Sequence, residues 1–207
     1  MIVNRICVTL AALCLMTAVA TADDPKSYKL TVDGVAVAID PGDTVEMTLP
    51  SGKHISVKLE RNEFSTFSGE AFSFVHASDT SIAKTALSFG TQYLMGSALG
   101  NYVIVQEYSS IDPTSLNALM LHQVTNDLVK AGGKLTEATA NRKLADGMEL
   151  TGLAGTVKSR SGSDSFEVFS CGRDERGVVV VTHLGDQNVE VERKMIDEFW
   201  KTLRIKL

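Results

Sequence analysis

Cys171 and His183 are the side chains here whose types best suit a nucleophile and its base, and both lie in "FEVFSCGRDERGVVVVTHLG", residues 166–185. Such a pair must approach to about 3 Å to pass a proton. The two apolar runs on either side of Gly172 and Gly177 predict a hairpin centred between Asp174 and Glu175. In that register Cys171 faces Val178 and His183 faces Phe166, about 17 Å apart along the strands at roughly 3.4 Å per residue. The hairpin therefore excludes the dyad. Cys171 reads as a small core hydrophobe and His183 as a structural or solvated residue. Arg173, Asp174, Glu175 and Arg176 read as a solvated tip, with partner contact as the functional alternative.

Other reactive patterns are incomplete. Ser81-Ile82-Ala83-Lys84 has the Ser-x-x-Lys form of penicillin-recognising enzymes but lacks their Ser-Asp-Asn and Lys-Thr-Gly companions. A hydrolase assembled from Ser81, His76 and Lys84 stays as an alternative. His54, His76, His122 and His183 are widely spaced, and no cysteine pair exists beside them, which excludes a closed zinc site. "AGGK" lacks the spacing of a phosphate loop, and no dinucleotide fingerprint occurs. Asp197 and Glu198 fall on the wet face of a helix. The expectation is no catalytic, cofactor-binding or metal residue, and no enzyme.

The elements that position these residues follow from periodicity. Asp33-Gly34 between Val- and Thr-rich runs predicts a two-residue hairpin. Pro50-Ser51-Gly52 predicts a second, with Val45, Met47 and Leu49 facing Ile55, Val57 and Leu59. "EAFSFVHAS" opens a new strand, and residues 85–110 read as two strands meeting near Gly96 to Asn101. Asp112 and Pro113 predict a helix start. Leu116, Met120, Val124 and Leu128, with Leu119 beside them, make its apolar stripe, and Gly132-Gly133 stops it. Four strands follow: "KLTEATANRKL", "MELTGLAGTVKS", "SFEVFSC" and "VVVVTHL". A second amphipathic helix, "VEVERKMIDEFWKTLRI", closes the chain. Met195, Ile196, Phe199, Trp200 and Leu203 form its buried face, and Glu190–Lys194, Lys194–Glu198 and Asp197–Lys201 can pair on the other.

Short connections imply antiparallel pairing, and the all-apolar "VVVV" implies a strand covered on both faces. The fold expected is α+β, an antiparallel β-sheet flanked by helices as an α/β/α sandwich, preceded by a small N-terminal β-hairpin module. The start of the chain, with Arg5, an apolar run from Ile6 to Ala20 and Ala20-Thr21-Ala22, reads as a cleaved signal peptide too short to anchor in a bilayer. The divisions expected are 1–22 signal peptide, 23–66 hairpin module and 67–207 main domain. Cys7 and Cys14 leave with the signal, so Cys171 has no disulfide partner. The net charge of −5 becomes −6 on cleavage, and without a basic stripe a nucleic-acid partner is excluded.

The pattern resembles the PsbP-like fold superfamily, named for an extrinsic subunit of the photosynthetic oxygen-evolving complex and shared by a Ran-binding nuclear-import factor. It lies in "FSFVHASD", "GNYVIVQEYSS" leading into "IDPTSLNALMLHQVTNDL", "LADGMELTGLAGTVKS" with Gly152 and Gly155 mid-strand, "RGVVVVTHLGD" and "IDEFWKTL". The resemblance covers residues 67–207 and implies a binding or assembly module without an active site, here an exported bacterial member. The function expected is therefore an exported (periplasmic or secreted) non-catalytic module with a protein or small apolar partner and no cofactor. A carrier of a hydrophobic ligand or lipid, motivated by Met47, Met95, Met120 and Met148, and a hydrolase are the alternatives.

Overall fold

The computed structural model describes residues 25–160, 162–186 and 189–207. The signal-peptide reading falls on residues 1–22, outside the described residues. The chain forms two compact units that divide between Glu60 and Arg61.

The first unit holds two hairpins. β1 (Tyr28–Val32) pairs antiparallel with β2 (Val35–Ile39). Asp33 and Gly34 both adopt positive φ, 48° and 82°, the mirror-image turn that matches strand twist. β3 (Thr44–Thr48) pairs with β4 (His54–Lys58), setting Val45 opposite Val57 and Met47 opposite Ile55. The link between the hairpins is tied by carboxylates. Asp40 accepts from the Ser27 N–H at 2.7 Å, Asp43 accepts from the Asp40 N–H at 2.8 Å, and Lys26 lies 3.1 Å from Asp43. Those backbone donors hold both carboxyl groups below their ordinary range.

The second unit is built on a seven-stranded sheet in the order β10-β11-β12-β13-β9-β8-β7. Its members are β7 (Ile82–Leu87), β8 (Gly90–Gly96), β9 (Tyr102–Tyr108), β10 (Lys134–Lys143), β11 (Glu149–Lys158), β12 (Ser163–Arg173) and β13 (Arg176–Gly185). Every neighbouring pair is antiparallel. Beside it, β5 (Phe64–Ser68), β6 (Phe72–Ala77) and β14 (Arg204–Ile205) form a three-stranded sheet with β6 in the middle.

Helix α1 (Asn117–Lys130) brings Met120 and Leu121 against Val157, Phe166, Val168, Val179 and Val181 of the large sheet. Helix α2 (Val189–Thr202), with β6, covers the alternate residues of the same strands: Ile196, Phe199, Trp200 and Leu203 pack with Phe72, Phe74, Val105, Phe169, Val178 and Val180. Val178 to Val181 are at most 1% exposed, so β13 is covered on both faces, as its unbroken apolar run predicts.

Four details depart from expectation. Residues 82–96 contain an additional hairpin, β7–β8, turning through Ser88 and Phe89, without the Asn-Gly or Asp-Gly pair that marks a two-residue turn. Asp112 caps a short 3₁₀ turn, Pro113–Ser115, through the Thr114 N–H at 2.9 Å, and α1 begins only at Asn117. Leu119 is 62% exposed, whereas Leu121 is fully buried, so the apolar stripe of α1 leans to the other side. Arg204 and Ile205 leave the last helix to pair with β6. Among the described residues no helix is long and apolar enough to cross a membrane.

Candidate functional site

The β12–β13 ladder sets Cys171 opposite Val178 and His183 opposite Phe166, the register expected. It also separates the two by face. Cys171 packs into the cluster under α2, while His183 stacks on Phe166 with centroids 4.6 Å apart, on the α1 side. Burial pushes the Cys171 thiol up to about 11, the opposite of an activated nucleophile, whose thiolate must be accessible near neutral pH.

His183 instead joins three elements. Nε2 lies 2.9 Å from an Asp164 carboxylate oxygen and Nδ1 lies 3.1 Å from the Gly100 carbonyl. The Tyr102 ring sits 5.0 Å away, its phenol pushed up to about 12 by burial and then by the Asp164 charge. Buried Asn101 extends this knot, accepting from the Gly185 N–H at 2.7 Å and donating to Glu192 at 3.2 Å. Asp164, Asn101 and Glu192 carry no sequence signal for this role, because their partners come from β13, a turn and α2.

The other candidates stay apart. Ser81 is exposed ahead of β7. Lys84 lies 5.7 Å from the Tyr93 ring centroid, and His76 Nδ1 lies 2.8 Å from the Ala77 carbonyl. Among the described residues no hydrogen bond or ion pair joins these three. His54 contacts Thr48 in the first unit at 3.0 Å, and His122 contacts Glu137 at 3.4 Å. Among the described residues no group of three or more His, Cys, Asp or Glu side chains is arranged to hold a metal. Residues 173–176 are exposed at the hairpin tip.

One concavity, of about 520 Å³, runs along one flank of α2. Phe64 of β5, Ala77 of β6, Met95 of β8 and Met195 of α2 supply its apolar lining, and Lys194 and Glu198 stand among its charged residues. It exists because α2 turns Ile196, Phe199 and Leu203 into the core, leaving Met195 and Glu198 half-buried. Phe64, on the edge strand of the small sheet, is 47% exposed. Among the described residues none of the three ion pairs expected on α2 is formed; Glu198 pairs with Lys201 at 3.4 Å, one helical turn along.

No protein-family model matches the chain, and no curated protein matches it. Among solved structures it is similar to the solution structure of cyanobacterial PsbP from Synechocystis, with 11% identity and a TM-score of 0.46 over 69% of this chain and 92% of that one. It is also similar to a crystal structure from Bacteroides thetaiotaomicron, with 10% identity and a TM-score of 0.34 over 70% of this chain and 48% of that one. The first of these is a PsbP protein, and no function passes from either likeness.

Proposed function

We propose that this protein is an exported, non-catalytic binding module whose ligand is a small apolar molecule held in the groove beside α2. The groove carries the proposal. Its volume of about 520 Å³ falls within the roughly 300–1,000 Å³ of small-molecule sites, and its methionines adapt to irregular apolar shapes. Beside the apolar lining stand His76, Thr80 and the charged residues of α2, which suit orientation of a ligand. We assign residues 1–22 to an export signal, the chain from there to residue 60 to the hairpin module, and residues 61–207, where the second compact unit begins, to the ligand-binding domain, organised as an α/β/α sandwich.

The test is titration of the purified protein with the neutral fluorophore N-phenyl-1-naphthylamine, comparing wild type with Phe64→Ser. Phe64 is half-exposed on an edge strand, so its loss spares the core. Removing an aromatic wall worth about 1.5–3 kcal/mol when covered should weaken a saturable one-site signal by at least about tenfold. Absence of saturable binding, or equal affinity in the variant, would dispose of the proposal.

A further inference from the structure

The large sheet ends on β10, and that edge lacks the usual defences. Edge strands are shielded by proline, by bulges, by shortness or by a covering element. β10 is ten residues long and pairs with β11 one for one, from Lys134↔Lys158 to Lys143↔Glu149, without a bulge. Its sequence, "KLTEATANRK", holds neither proline nor glycine, and seven of the ten residues are exposed. Among the described residues no strand lies beyond it, so its outward N–H and C=O groups present half a ladder.

The side chains select what completes that ladder. Two copies joined antiparallel through this edge are related by a two-fold axis normal to the sheet, and each residue then faces one on the same face of the other copy. Because faces alternate along a strand, the axis must fall on a single residue. Glu137 and Lys143 share the α1 face with Leu135, and Glu137 stands 42% exposed beside His122. With the axis at Ala140, Glu137 faces Lys143 of the second copy, and symmetry repeats the pair. An axis at Glu137 or at Arg142 sets that residue against itself, and one at Ala138 sets Lys134 against Arg142. At Thr139 or Asn141 no two charges of the strand face each other. Cross-strand opposite charges stabilise a ladder and like charges oppose it, so the Ala140 register is favoured over its neighbours. The sheet's other edge, β7, carries one charge, Lys84, and has no such match.

We propose that the protein self-associates through β10: a second copy of this chain adds its own β10 antiparallel across a two-fold axis at Ala140, and two seven-stranded sheets become one. The contact uses the same surface on both copies and is therefore closed, which occupies the bare edge without leaving another β10 to extend it. No residue of β10 lines the apolar groove, so this proposal and the ligand-binding one stand or fall separately.

Sedimentation equilibrium of the purified protein between about 10 and 500 µM tests it. One added ladder is a small interface, and a monomer–dimer Kd of about 10–200 µM is expected. Glu137→Lys and Lys143→Glu, both exposed changes, each turn the two opposite-charge pairs into like-charge pairs and should weaken the dimer at least about fivefold. An equimolar mixture of the two variants restores both pairs and should associate as tightly as wild type. Circular dichroism verifies that the variants are folded. A monomer throughout the range would leave the edge to a strand of another protein and overturn the proposal. A dimer unchanged by either substitution, or a mixture no tighter than the variants alone, would overturn it equally.

Discussion

Two glycines of β11 give the sharpest test of how the large sheet is packed. A methyl group at Gly152 would run into the Val168 carbonyl, with the Phe169 Cα at 2.9 Å. Those atoms are backbone of β12, so β11 and β12 must part to admit it. A methyl at Gly155 meets only side-chain ends, Leu121 at 2.7 Å and Leu135 at 3.3 Å, which can rotate away. Overpacking costs about 1–3 kcal/mol. Gly152→Ala should fall at or above the top of that range and Gly155→Ala at the bottom. The entropy gained on replacing glycine, about 0.5–1 kcal/mol, is common to both and cancels in the comparison. A gap of about 2 kcal/mol corresponds to a urea midpoint difference of about 1 M at an m-value near 2 kcal/mol/M. The single tryptophan, Trp200, is buried against Phe169 and Phe199, so its fluorescence reports unfolding of this unit directly. Equal midpoints, or a lower one for Gly155→Ala, would refute the account of β11–β12 contact.

Two further outcomes are expected. Glu175 sits at φ 61° in the tip of the β12–β13 hairpin, a conformation costing a side-chain-bearing residue about 1–2 kcal/mol. Glu175→Gly should therefore raise the melting temperature by about 1–4 °C, net of glycine's entropy; a fall in the melting temperature would contradict this. Burial holds the Cys171 thiol protonated up to about 11 against an ordinary value of 9.0. The unfolded chain thus releases this proton first, and the stability that the buried thiol contributes is present below pH 9 and is lost as pH rises towards 11. The loss is about 2–3 kcal/mol. Denaturant melts at pH 8 and pH 11 should show that loss in wild type beyond the change seen in Cys171→Ala, and a matching pH dependence in both proteins would rule it out.

Much of the course of the chain was legible because local chemistry and periodicity agreed. Asp33-Gly34 and the tip at Asp174-Glu175 turn where expected, and the β12–β13 register followed from that tip alone. The hairpin at Ser88-Phe89 escaped because it lacks the Asn-Gly or Asp-Gly pair that marks a two-residue turn; the glycine beside it, Gly90, serves a different purpose, since a methyl there would strike the Glu107 carbonyl. The start of α1 was misplaced because Asp112 and Pro113 signal equally well for a 3₁₀ turn. Two-residue β14 is too short for any period. The concavity beside α2 was illegible for a deeper reason. Phe64, Met95 and Met195 come from different elements and meet only once the layers close. The dyad was rightly dismissed from strand spacing, but the opposite faces of Cys171 and His183 give the stronger reason.

The joining of β9 to β13 has a consequence for synthesis. Val105 and Val180 are partners yet leave the ribosome about 75 residues apart, so at about 5–20 residues per second the meander β7–β8–β9 waits several seconds with one ladder edge bare. The apolar sequence "YVIVQEY" at that edge is a template for pairing with another nascent chain, and such non-local closure is slow. The finished sheet ends instead on β10, whose "KLTEATANRK" is polar and largely exposed. The hazard of aggregation thus belongs to the unfinished chain more than to the folded one.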